Sequence, residues 1–169
     1  KELKIWSKLV NPNVLPLLGF VVDGDSFPAL VAEWMDNGTI LNYINANMQA
    51  DILYLVRGIA SGLAYLHQSK VVHADLKSDN ILISPEGAPL LTDFGISRTL
   101  VVTHTFTGLS NLMGSVRWMA TELLAVAQTE DTDIWAFGMV VYELLTMNHP
   151  YYGMSEVQAM FRIAAGKLP

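Results

Sequence analysis

The feature that most restricts the fold of this chain is a short hairpin with a carboxylate on either side of it. Ile81-Leu82-Ile83 and Leu90-Leu91-Thr92 are apolar, strand-prone runs joined by the turn sequence Ser84-Pro85-Glu86-Gly87. Pairing them carries Asp93, eighteen residues beyond Asp75, back to the neighbourhood of Asp75. Asp75 stands in His73-Ala74-Asp75-Leu76-Lys77-Ser78-Asp79-Asn80, and Asp93 begins Asp93-Phe94-Gly95. A fold built on this hairpin places two carboxylates, a lysine and a carboxamide around one point.

The flanking sequence supplies the frame. From Asp51 onward Ile52, Leu55, Val56, Ile59, Leu63 and Leu66 share one face at helical spacing, and Val71-Val72 leads from that helix into the first motif. Nearer the start, residues 1–9 read as the end of a helix stopped by Asn11-Pro12-Asn13. Val14 to Val22 and Ala29 to Trp34 read as two strands about the turn signal Asp23-Gly24-Asp25. Asp36-Asn37-Gly38-Thr39 is a turn, with Thr39 as the cap of a helix carrying Leu41 and Ile44. Residues 96–117, rich in Thr, Ser and Gly, read as a long functional loop. Asp133 to Leu145 is apolar nearly all round, which predicts a helix buried on every side, and Val157 to Ile163 is amphipathic.

Composition narrows the class. A chain of 169 residues can bury one real core. A net charge of −6 and a pI near 5.0 lend no support to nucleic-acid binding. No cysteine is present, which excludes disulfides and thiolate metal sites. No signal peptide is visible and no apolar run reaches the roughly eighteen residues of a membrane span, so the cytoplasm is the default location. The 51% hydrophobic content and mean hydropathy of +0.33 are high for such a domain. Either the core is unusually large or part of its cover is missing.

Alone, Asp-Phe-Gly is usually a turn and His-x-Asp a capping pair. Together, Asp75, Lys77, Asn80 and Asp93 supply a base, a phosphate contact and two hard oxygen ligands for magnesium, the requirements of phosphoryl transfer. Over nearly its whole length the chain resembles a eukaryotic protein kinase domain. Val71 to Asn80 resembles the catalytic loop and Asp93-Phe94-Gly95 the magnesium-binding triplet. Gly114-Ser115-Val116-Arg117-Trp118-Met119-Ala120-Thr121-Glu122 resembles the end of the activation segment, and Asp133-Ile134-Trp135-Ala136-Phe137-Gly138 the central helix of the large lobe. The Arg117-Trp118-Met119-Ala120 wording is closest to the tyrosine-kinase-like group, whereas Lys77 is the residue of serine/threonine kinases.

The resemblance implies an α+β, two-lobe fold covering residues 1–169 in part. Residues 1–35 would be a remnant of the small lobe, a helix with two or more strands and the hinge, and 36–169 a mostly helical large lobe incomplete at its end. It implies transfer of the ATP γ-phosphate to Ser or Thr hydroxyls of a protein substrate. Asp75 would be the base and Lys77 the cation beside the transferring phosphate, with Asn80 and Asp93 as ligands of Mg²⁺. Glu33 and Met35 would offer backbone groups to adenine, Leu82 its floor, and Ala32 would guard a back pocket. His73 and Phe94 would be packing elements beneath Trp6 and Leu17, and Asp133 would tie down the catalytic loop. Thr103, Thr105, Thr107 and Ser110 are candidate phosphorylation positions, although a Thr-rich loop more often reflects plain flexibility. Oligomeric state is left open.

Three departures stand against this pattern. The Gly-rich loop and the phosphate-gripping lysine would lie before residue 1, leaving Glu2 as half of an ion pair. Ala74 replaces the arginine that receives activation-loop phosphate, and Thr121 stands where proline is usual. The alternative is therefore a catalytically impaired, kinase-like interaction module. Loss of outer cover would leave the 133–145 helix partly bare, so the isolated polypeptide is expected to fold poorly.

Overall fold

The computed structural model describes residues 6–22, 29–94, 115–124 and 127–169. The turn signal Asp23-Gly24-Asp25, Glu2, Gly95 and the loop positions Thr103, Thr105, Thr107 and Ser110 lie outside the described residues.

Strands β1 (Leu17–Val21) and β2 (Ala29–Ala32) pair antiparallel, with Leu17 opposite Ala32 and an irregularity between Leu17 and Gly19. The expected strand from Val14 is shorter than predicted, because Val14 and Leu15 have another partner. Val14 forms a parallel bridge with Leu91, and the Leu15 N–H donates to the Leu91 carbonyl at 2.9 Å. This segment thus stitches the first sheet to the second.

Helix α1 (Ile40–Ala46) starts where expected, with the Thr39 hydroxyl accepting from Asn42 N at 3.4 Å. Helix α2 (Ile52–Gln68) is capped by Asp51, whose carboxylate accepts from Tyr54 N at 2.9 Å. Its apolar face is the predicted one: Leu55, Ile59, Leu63 and Leu66 are buried, flanked by half-buried Ile52 and Val56. That face packs on β4 (Pro89–Leu91), which pairs with β3 (Ile81–Ile83) in the hairpin on which the fold was expected to turn. Gly62 makes the contact close. A Cβ there would meet the Asn13 carbonyl oxygen at 2.6 Å, so this position excludes any side chain.

Helix α3 (Glu130–Thr146) begins with reciprocal capping, Thr132 N donating to Thr129 Oγ1 at 3.4 Å and Thr129 N to Thr132 Oγ1 at 3.0 Å. The expectation that this helix is buried on every side is corrected. Asp133, Ala136, Met139, Val140, Glu143 and Leu144 are buried, whereas Ile134 is 55% and Leu145 70% exposed. Among the described residues these two side chains lie on the side of α3 away from its buried stripe. Helix α4 (Glu156–Ala164) buries Ala159 and Ile163 against Val116 and Tyr151 in a smaller second core. Among the described residues no helix is long and apolar enough to cross a membrane. Among the described residues, four helices and two small antiparallel sheets agree with a partial kinase-like α+β fold.

Candidate active site

The segment leaving α2 is irregular, so its backbone groups need partners from elsewhere. Most come from one buried carboxylate. Asp133 on α3 accepts from His73 N at 2.7 Å and from Ala74 N at 2.9 Å, and its Oδ2 also lies 2.8 Å from His67 Nε2. Ala74 sits in the left-handed region at φ 73°, a conformation that exacts a cost of about 1–2 kcal/mol from a residue with a Cβ. The carbonyl of Ala74 accepts from the side chain of Gln128, just ahead of α3.

Beyond this anchored turn the predicted residues converge. Asn80 Nδ2 donates to the Asp75 carbonyl at 2.8 Å and to its carboxylate at 3.1 Å. With its nitrogen committed, the Asn80 carboxamide keeps its oxygen for another ligand. Lys77 Nζ lies 3.5 Å from the Asp75 carboxylate and donates to Ser115 Oγ at 2.9 Å. Asp93 reaches the same place through the backbone, since Thr92 N donates to the Asn80 carbonyl at 3.0 Å. Asp93 is exposed and adopts a left-handed φ of 57° at the end of the hairpin. Asp75, Lys77 and Asn80 are therefore in mutual contact, with Asp93 adjacent.

The aromatic support is as expected. The Trp6 and Phe94 rings meet edge to face at 5.3 Å between centroids, and His73 approaches Phe94 at 6.2 Å. His73 is fully buried, and burial pushes its imidazole below the ordinary value of 6.5 despite the Asp133, Asp75 and Asp93 carboxylates. The neutral ring accepts from Asp75 N at 3.4 Å through Nδ1, which leaves the proton on Nε2. Leu17 is half-buried against the same core.

The remaining predicted residues form a second group near the turn after β2. Glu33 is exposed, Met35 is buried, and the Met35 carbonyl accepts from Gly38 N at 2.9 Å. Trp34 between them is 83% exposed. Leu82 is brought to this turn by its bridge with Thr39 and by Ile83 N, which donates to the Gly38 carbonyl at 3.0 Å.

A magnesium ion can be tested against this donor set. Among the described residues no group of three or more His, Asp or Glu side chains is arranged as a metal cage. Asn80 and Asp93 offer two hard oxygens beside an open face. That suits Mg²⁺, which keeps waters and takes phosphate oxygens alongside one or two protein ligands. The residues present fit the ion when it arrives with a nucleotide.

Sequence reasoning missed three side chains. His67, Ser115 and Gln128 lie 66, 38 and 54 positions from the atoms they contact, a separation at which no local pattern points to a partner. Trp118 Nε1 donates to buried Glu143 at 3.1 Å, and burial raises the Glu143 carboxyl above its ordinary 4.5. Arg117, in the segment compared with the activation-segment end, spends its guanidinium on the carbonyls of Pro150, Tyr151 and Met154.

The chain is similar to known proteins along almost its whole length. The profile of the protein tyrosine and serine/threonine kinase family matches residues 1–168. The mitogen-activated protein kinase kinase kinase MST11 of Pyricularia oryzae is 33% identical over 99% of this chain and 19% of its own length. The serine/threonine-protein kinase STE11 of Saccharomyces cerevisiae is 33% identical over 99% of the chain and 24% of its own length. The serine/threonine/tyrosine-protein kinase HT1 of Arabidopsis thaliana is 32% identical over 96% of the chain and 42% of its own length. The chain thus spans well under half the length of these curated relatives.

Proposed function

Because this chain belongs to the protein tyrosine and serine/threonine kinase family, we propose that the protein carrying it transfers the γ-phosphate of ATP to Ser or Thr hydroxyls of a protein substrate. The observation that carries this reading is the contact set of Asp75, Lys77 and Asn80 on a loop anchored by Asp133. Asp75 orients the substrate hydroxyl and takes its proton. Lys77 lies where it offsets charge developing on the transferring group, and Ser115 holds its ammonium in place. Asn80 and Asp93 would hold Mg²⁺, whose charge neutralises phosphate oxygens when the ion is bound. Glu33 and Met35 present backbone groups to the adenine edge, and Leu82 supplies an apolar face beneath it. Lys77, shared with serine/threonine kinases, and the printed names of the relatives support Ser and Thr as acceptors.

The test is phosphate transfer from ATP to a Ser/Thr peptide library by the full-length protein and its Asp75→Ala variant. The variant is expected to lose transfer while binding nucleotide nearly as before. Equal turnover by the two would overturn the assignment of Asp75. No transfer by the unaltered protein would favour the impaired, partner-binding alternative.

A further inference from the structure

We propose that Gln128 is a positioning residue for Asp75, acting through the peptide bond that joins Ala74 to Asp75. The inference rests on the kinase reading for its catalytic consequence, though not for its structural one. That peptide is held at both edges: its carbonyl accepts from Gln128 Nε2, and its N–H donates to His73 Nδ1 at 3.4 Å. The N–H contact is long, so the carbonyl contact carries the larger share of the restraint. On the preceding peptide, Ala74 N is held by Asp133 at 2.9 Å.

Each restraint opposes a specific tendency. Ala74 has a Cβ and sits at φ 73°, which it leaves readily unless its surroundings hold it. Rotation of the Ala74–Asp75 peptide plane would swing the Asp75 carboxylate away from Lys77 and Asn80, and proton abstraction is sensitive to displacements near 1 Å. Gln128 is well placed to prevent this. It precedes Thr129, whose reciprocal bonds with Thr132 fix the start of α3, and Asp133 follows on the same first turn. Two contacts from one rigid helix start therefore set consecutive peptide planes of the loop. A carboxamide does so without adding charge near Asp75, which leaves the electrostatics of that carboxylate to Lys77.

The experiment uses the full-length protein with Gln128→Met and Gln128→Glu. Both keep the side chain's length, and neither offers the donor at neutral pH. Gln128→Met is expected to lower kcat about tenfold by freeing the Ala74–Asp75 peptide, and Gln128→Glu, which also sets a carboxylate against the Ala74 carbonyl, by at least that much. The KM for ATP should change less than about twofold, since Gln128 acts on the Ala74 carbonyl and not on Glu33, Met35 or Leu82. Hydrogen exchange of the 72–76 amides should quicken, while the melting temperature falls by no more than about a few degrees. Unchanged exchange in these amides, or a kcat that falls only in step with lost folded protein, would overturn the proposal. If the unaltered protein transfers no phosphate, the kinase reading fails by itself, and the exchange measurement alone decides the role of Gln128.

Discussion

Asp133 accepts the backbone N–H of His73 at 2.7 Å from sixty positions along the chain. The same carboxylate accepts from Ala74 and meets His67, so one side chain on α3 organises the turn that precedes Asp75. An isosteric amide turns one of these acceptors into a donor facing other donors. Asp133→Asn is therefore expected to cost about 1.5–3 kcal/mol, the range for hydrogen bonds to a charged group. Urea unfolding measures it, and an unchanged midpoint would contradict the anchoring role.

The approach of α2 to the second sheet gives a sharper test. Gly62→Ala places a methyl 2.6 Å from the Asn13 carbonyl oxygen, a backbone atom that cannot swing aside. We expect a loss of about 1–3 kcal/mol from overpacking. Gly138→Ala on α3 meets nothing within 4 Å and should gain roughly 0.5–1 kcal/mol of helix propensity. Thermal melts of the two variants should move in opposite directions. Equal shifts would mean that helix propensity alone governs both positions.

Lys77 touches both the Asp75 carboxylate and the Ser115 hydroxyl. Lys77→Ala removes the cation and should lower kcat of the full-length protein by about a hundredfold or more. Ser115→Ala keeps the cation and loses only its tether, so a drop of several-fold is expected. Steady-state kinetics separate the two, and a Lys77→Ala enzyme with full kcat would remove Lys77 from the transfer step.

The buried carboxyl of Glu143 makes stability depend on pH in a definite direction. Burial raises its folded-state value above 4.5, so the folded chain holds this proton more tightly than the unfolded chain. The associated stability is complete below about pH 4.5 and is lost as pH rises through the raised value. Glu143→Gln retains an acceptor for Trp118 Nε1 and abolishes the titration. The variant should gain on the unaltered protein as pH climbs from about 4.5 towards neutrality. His73 works in the opposite sense: its lowered value makes stability fall as pH drops below 6.5. Comparing the two proteins at each pH cancels the His73 contribution. A constant difference across that range would show that Glu143 does not titrate differently on folding.

Much of this was readable from residues near one another in the chain. The apolar spacing of Leu55, Ile59, Leu63 and Leu66 identified the buried face of α2, because helical period and burial report the same geometry. The hairpin was located to within one residue, since its turn chemistry and its apolar runs agree. Val14 and Leu15 lie outside the first strand, although their apolar run predicts them in it. Their apolar character does not say which strand they join, and Leu91 is the partner. The all-round apolarity of α3 likewise did not reveal that Ile134 and Leu145 stay exposed.

Chain order alone carries most of the elements and the local part of the site: Asp75, Lys77 and Asn80 share one loop, and a short hairpin returns Asp93 to it. Those relations depend on turn chemistry and on periods of a few residues, which are properties of neighbouring positions. That Gln128 and Ser115 reach this loop, and that His67 shares the Asp133 carboxylate, follows from the packed fold alone. These contacts depend on how α2, α3 and the segment around Ser115 pack, and hydrogen-bond geometry of a few tenths of an ångström is set by that packing rather than by any pattern along the chain.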